Sequence, residues 1–139
     1  MRSLDETEAI ALIRDLLLEA RLDAKRGWQV SLQDHHPLRV DLRVGDSSVG
    51  VEWVSANDRA RYGKVLPPPD PDGQLRVLSV TDPGDTRPAL VLLLDATSYE
   101  YAADEGAALR GAPDEGDVET RLHHDLLDFL AFAGAQHSL

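Results

Sequence analysis

The sequence predicts an α+β domain: a mostly antiparallel sheet of about five strands, with an N-terminal helix and a C-terminal amphipathic helix packed on it. Three observations carry this prediction. Alternating apolar runs lie between residues 28 and 95, helical apolar spacing is strongest at the two ends of the chain, and 139 residues is the length of one ordinary domain.

Ser3 and Glu6 stand at capping-box spacing, and Ile10, Ile13, Leu17 and Ala20 then recur at helical intervals beside Leu12 and Leu16. The pattern predicts a helix from about Leu4 to Lys25, stopped by Gly27. After that glycine, Trp28, Val30 and Leu32 alternate with polar residues as a first strand, and "DHHP" closes it. "RVDLRVGDSSVGVEWVS", residues 39–55, reads as a hairpin turning on "GDSS".

"SANDRARYGK" predicts a turn or two of helix, and "VLPPPDPDG" a stiff loop, because its prolines lack amide donors. "QLRVLSV" is a fourth strand and "TDPGDTRP" a turn. "ALVLLLD" is apolar at consecutive positions and so predicts a central strand buried on both faces. Thr97 and Glu100 form a second capping-box match, predicting a helical segment with Tyr99 and Tyr101, interrupted by "RGAPDEGD". From Asp117, a stripe of Val118, Leu122, Leu126, Phe129, Leu130 and Ala133 predicts the closing helix, with Gly134 as its stop.

The apolar fraction of 42% and charged fraction of 28% are globular values. A net charge of −11 repels phosphate backbones and anionic membranes, so nucleic acid and membrane partners are disfavoured and another protein or peptide is expected. The absence of cysteine excludes disulfides, thiolate nucleophiles and cysteine-ligated metals, which suits a reducing cytoplasm. No export signal or membrane span is visible, and the preponderance of arginine over lysine hints at a bacterial source.

The hairpin carries the sharpest chemical question. With Asp46 and Ser47 central in the turn, Asp41 lies directly across from Glu52, opposite a face made of Leu38, Val40, Leu42 and Val44. Two facing carboxylates repel unless something offsets them. A divalent cation, Mg²⁺ or Mn²⁺, could do so with Asp41 and Glu52 as ligands. So could Arg39 and Arg43, which flank Asp41 on the same face as an ion-pair ladder.

An Asp on one hairpin strand and a Glu on the next resembles the core of the PD-(D/E)XK nuclease-like family over residues 4–95. The resemblance implies Mg²⁺-dependent phosphodiester cleavage with Asp41 and Glu52 as metal ligands. It also implies a lysine two residues after the Glu, where this sequence has Val54. Lys64 or Arg59 would have to assist in its place, or the activity would be lost. The element order, small size and acidity are also similar to the type III secretion chaperone-like and YbjN-like peptide-binding family, which implies a peptide-holding role and a homodimer.

Other groups have weaker patterns. Arg59, Arg61, Tyr62 and Lys64 form a local basic cluster that could meet an acidic partner or a phosphate, or be a solvated turn. His35 and His36, and His123 and His124, are two pairs, with His124 and Asp128 one helical turn apart. Solvated surface is the simpler account of both. "GDSSVG" lacks the Lys and Ser/Thr of a phosphate loop. The preferred expectation is therefore a cytoplasmic protein-binding module, a chaperone, adaptor or non-catalytic nuclease-like domain, with a metal-dependent phosphodiesterase as the alternative.

Overall fold

Strand β1 (Arg2–Ser3) leads into helix α1 (Glu6–Glu19), followed by strands β2 (Ala24–Ser31), β3 (Pro37–Val44) and β4 (Val49–Val54). Helix α2 (Ala56–Tyr62) and a 3₁₀ turn (Gly63–Val65) precede β5 (Arg76–Thr81) and β6 (Pro88–Asp95). A second 3₁₀ turn (Ala96–Tyr99), β7 (Glu100–Tyr101) and helix α3 (Glu115–His137) complete the order. The computed structural model describes residues 2–84, 87–102, 104, 106 and 109–137, the last three as backbone only. Residues 85 and 86 of the expected 81–88 turn fall outside the described residues.

The α+β class holds, but the sheet is a closed mixed barrel, ordered β2-β3-β4-β6-β5, and not a mostly antiparallel open sheet. β4 runs parallel to β6 over six pairs, from Val49↔Leu90 to Val54↔Asp95. The reason lies in β4, which is buried at every position and therefore needs cover on both faces. β5 returns antiparallel along β6 and touches β2 through one pair, Ser31↔Thr81, which closes the barrel.

Two apolar clusters follow from this closure. One receives residues from all five barrel strands, including Trp28, Val40, Val54, Val80 and Val91, and is therefore the barrel lumen. The other joins the outer face of the barrel, through Val51, Trp53, Leu92 and Leu94, to α1 and α3. The even residues of β6 feed the outer cluster and the odd ones the lumen, as strand alternation requires. The stripe predicted for the last helix supplies Val118, Leu122, Leu126, Phe129 and Ala133 to the outer cluster.

Four boundaries differ from the sequence expectation. Asp5, not Ser3, caps α1 by accepting from the Glu8 amide at 2.7 Å, while Ser3 is drawn into β1 against Glu100. α1 ends at Glu19, because Arg21 adopts a left-handed conformation and the Leu22 amide turns back to the Leu17 carbonyl. The helix or helical turn expected after Asp95 is a 3₁₀ turn that ends at Tyr99, while Tyr101, expected on it, pairs with Arg2 in β7. α3 runs through Gly134, since one interior glycine costs a helix only about 1 kcal/mol.

Gly50 sits at a close approach of two strands in the barrel wall. A Cβ there would meet the Leu42 carbonyl oxygen at 2.7 Å and the Trp28 ring at 2.9 Å. Gly50→Ala is expected to destabilise the fold by about 2 kcal/mol through overpacking, read as a lowered urea midpoint with an unchanged slope.

Candidate functional site

The β3–β4 hairpin has the register read from the sequence. Leu42 pairs with Val51 and Arg43 with Gly50, and the Ser47 amide closes the turn on the Val44 carbonyl at 3.0 Å. Continuing that register places Asp41 against Glu52. Backbone pairing stops just there: the Trp53 amide donates to Asp41 Oδ2 at 2.9 Å, so a side chain takes the place of a ladder carbonyl. Asp41 thereby plugs the point where β3 and β4 separate.

Glu52 is 2% exposed. Among the described residues its Oε2 has no hydrogen-bond partner. Burial first, then the neighbouring Asp41, Asp58 and Glu6 carboxylates, push its pKa up to about 11. At neutral pH Glu52 is therefore a neutral acid, because burial and the surrounding carboxylates disfavour its charge. Glu6, at the start of α1, is also raised, by burial and by Asp41 and Asp58.

Glu6 and Asp58 were not candidates from sequence. Each has an ordinary helix-start role: Glu6 is in the first turn of α1, and Asp58 forms a capping box with Ser55 at the head of α2. Nothing in a cap motif says that two helix starts converge on one strand pair. Only the barrel topology brings them there.

The arginine ladder does not form. Arg43 donates to the Ser47 and Asp46 carbonyls, lies 4.9 Å from the Trp28 ring centroid and approaches Asp82 at 3.5 Å. The tight turn beside it supplies carbonyl acceptors nearer than the carboxylates across the strand. Arg39 lies over Gly27, whose added Cβ would come within 2.6 Å of its guanidinium. Among the described residues neither arginine makes an ion pair with Asp41 or Glu52.

The basic cluster divides in two. Arg59 points inward, bonding Asp95 Oδ2 at 2.5 Å and the Leu66 and Pro67 carbonyls at 2.6 and 2.8 Å. Arg61 stacks on Tyr62, and Tyr62 packs edge-on against His36, while Lys64 is exposed in the following 3₁₀ turn. Val54, where the nuclease pattern has lysine, is 1% exposed in the lumen. None of these groups contributes a cation to the Asp41–Glu52 pair among the causes that set the Glu52 pKa.

His124 pairs with Asp128 at 3.3 Å on the exposed face of α3. Among the described residues no group of three or more His, Asp or Glu side chains is arranged to hold a metal ion. The described helices also include none long and apolar enough to cross a membrane.

A second polar constellation sits at the carboxyl end of β6. Asp95 is buried and takes hydrogen bonds from Arg59 and from the Thr97 amide and hydroxyl. Burial raises its pKa, but the bonds from Thr97 and Arg59 outweigh that and hold it below the usual carboxylate value. Nearby, the Tyr99 hydroxyl donates to Asp125 at 2.5 Å, and burial together with Asp125 raises the phenol. Each charge here has its partner within the chain, so the arrangement fastens α2, β6 and α3 together.

No family model, curated protein or solved structure matches this chain.

Proposed function

We propose that this chain is a non-catalytic protein-binding module that keeps a nuclease-like frame without its chemistry. One observation carries the reading: Glu52 is buried among the Asp41, Asp58 and Glu6 carboxylates, and among the described residues no Lys or Arg makes an ion pair with Asp41 or Glu52. Val54 is core, and Arg59 is committed to Asp95, so neither can orient a water or a phosphate. With a net charge of −11, the surface favours a basic polypeptide as partner, and the absence of cysteine suits a cytoplasmic setting. Affinity capture followed by mass spectrometry is expected to yield a stoichiometric basic protein. Recovery of no stoichiometric partner, together with no self-association, would overturn the reading.

The Glu52 Oε2, unpartnered among the described residues, favours the alternative, a phosphodiesterase in which Mg²⁺ or Mn²⁺ replaces the Glu52 proton. The donor set does not fit that role well. Glu6 and Asp58 lie near the pair, yet among the described residues no three such side chains are arranged to hold an ion, which would also have to displace the proton that burial holds on Glu52. Addition of 5 mM Mn²⁺ at pH 7 is therefore expected to leave the melting temperature within 1 °C of its metal-free value. A larger rise, absent in Glu52→Gln, would return the phosphodiesterase reading to first place.

A further inference from the structure

β5 hydrogen-bonds to β6 along its whole length, Arg76↔Leu93 to Thr81↔Pro88, but meets β2 only at Ser31↔Thr81. Among the described residues, no backbone bond joins residues 76–80 to any segment other than β6. An unpaired strand edge is a template for another strand. Proteins commonly cover such an edge or place charge on it; here Arg76, the one charge on the strand, is turned to Asp70 and the Pro68 carbonyl, and Leu75, Val77 and Leu78 are half-buried.

Space flanks this edge on both sides. An open cleft of about 440 Å³ lies between Leu32, Asp34, Val65 and residues 77–79. A second, of about 610 Å³, lies between residues 73–77 and Asp125, Asp128 and Phe132 of α3. Val77 lines both. Phe132 is 46% exposed, and residues 125, 128 and 132 recur on one face of α3, so that helix presents a ring and two acids to the strand.

We infer that the free edge of β5 docks an extended segment of a partner protein that carries apolar and Lys or Arg side chains into the two flanking clefts. The inference rests on the protein-binding reading above and deepens it. An added strand gains main-chain hydrogen bonds along the edge and sends alternate side chains to opposite sides, one set to each cleft. Each cleft offers apolar surface beside a carboxylate: Leu32 and Leu78 with Asp34 in one, Leu75 and Phe132 with Asp128 in the other. Charge complementarity selects a basic segment. A second copy of this chain would bring another −11 charges and the same acids to this edge.

The test uses the full chain, isotope-labelled, titrated with an acetylated, amidated peptide of alternating Lys and Val. Amide shifts are expected to concentrate in residues 74–80, in 32–34 and in 125–132. Methylating alternate peptide nitrogens keeps the charge and removes strand pairing, so it is expected to weaken binding at least tenfold. Phe132→Glu is expected to weaken it similarly, whereas Leu18→Glu on the remote face of α1 leaves it unchanged. Absence of binding at millimolar peptide overturns the proposal. So do shifts scattered over the acidic surface, equal binding of the methylated peptide, or concentration-dependent protection of β5 amides without peptide, which would assign the edge to a second copy. If a captured partner still binds Phe132→Glu with full affinity, this docking site falls while the module reading stands. If no partner is captured, the module reading falls even where the peptide binds.

Discussion

Glu52→Gln is expected to fold more stably than the parent chain at neutral pH, and about equally at pH 4. In the unfolded chain Glu52 titrates near 4.5, and in the folded barrel its pKa is pushed to about 11. The folded state therefore holds a proton that the unfolded state gives up throughout that window. Stability from this group is fully present below pH 4.5 and falls as pH rises toward 11. At 1.36 kcal/mol for each pH unit, the loss between pH 5 and pH 7.5 is about 3 kcal/mol.

Glutamine matches the shape of the protonated acid, keeps a donor for Asp41, and has no proton to lose. Urea unfolding of both proteins at pH 5, 6, 7 and 8 should show a gap that widens with pH in favour of the variant. A gap that stays constant would mean that Glu52 is ionised in the folded state and that the pair is held apart by another cation. Asp95 acts in the opposite sense. Its lowered pKa gives stability that is present above the unfolded carboxylate value and lost as pH falls through the folded one. The two groups together place the stability optimum at about pH 4 to 5.

The hairpin register was legible because one face of β3 is apolar at every second position and the turn lies between fixed ends. Those two constraints leave a single pairing, and Leu42↔Val51 obeys it. What the sequence could not convey is closure. β4 reads as alternating if Gly50 and Glu52 are counted as polar, yet both are interior: Gly50 because Trp28 presses on it, Glu52 because it is protonated. An ionisable residue that folds as a neutral acid looks like surface in any hydropathy pattern.

The basic cluster misled for a related reason. Arg59, Arg61 and Lys64 are neighbours in sequence, but successive helical positions face different ways, and only Arg59 meets Asp95, 36 residues further along. Likewise the flanking arginines of Asp41 had the right face but nearer acceptors. Carbonyl groups exposed by a turn or a proline-rich loop compete for guanidinium donors, and composition does not reveal where those carbonyls point.

Arg59→Met is accordingly expected to be a folding defect. Asp95 is 7% exposed, and Arg59 is its ionic partner while also holding the Leu66 and Pro67 carbonyls. Removing one member of such a pair leaves a buried charge uncompensated, a loss of about 3 kcal/mol once the partial exposure of Arg59 is allowed for. Asp95→Asn in the same chain removes the stranded charge yet keeps an oxygen to accept from Thr97, so the double variant is expected to regain about half of that loss. Urea midpoints of the two single variants and the double variant measure the coupling. If Arg59→Met instead unfolds within 0.5 kcal/mol of the parent, the guanidinium is free of a structural duty. It would then again be available as the cation that a phosphodiesterase at Asp41 and Glu52 needs. A large loss with strong recovery in the double variant leaves the carboxyl pair without that cation, as a binding module without catalysis requires.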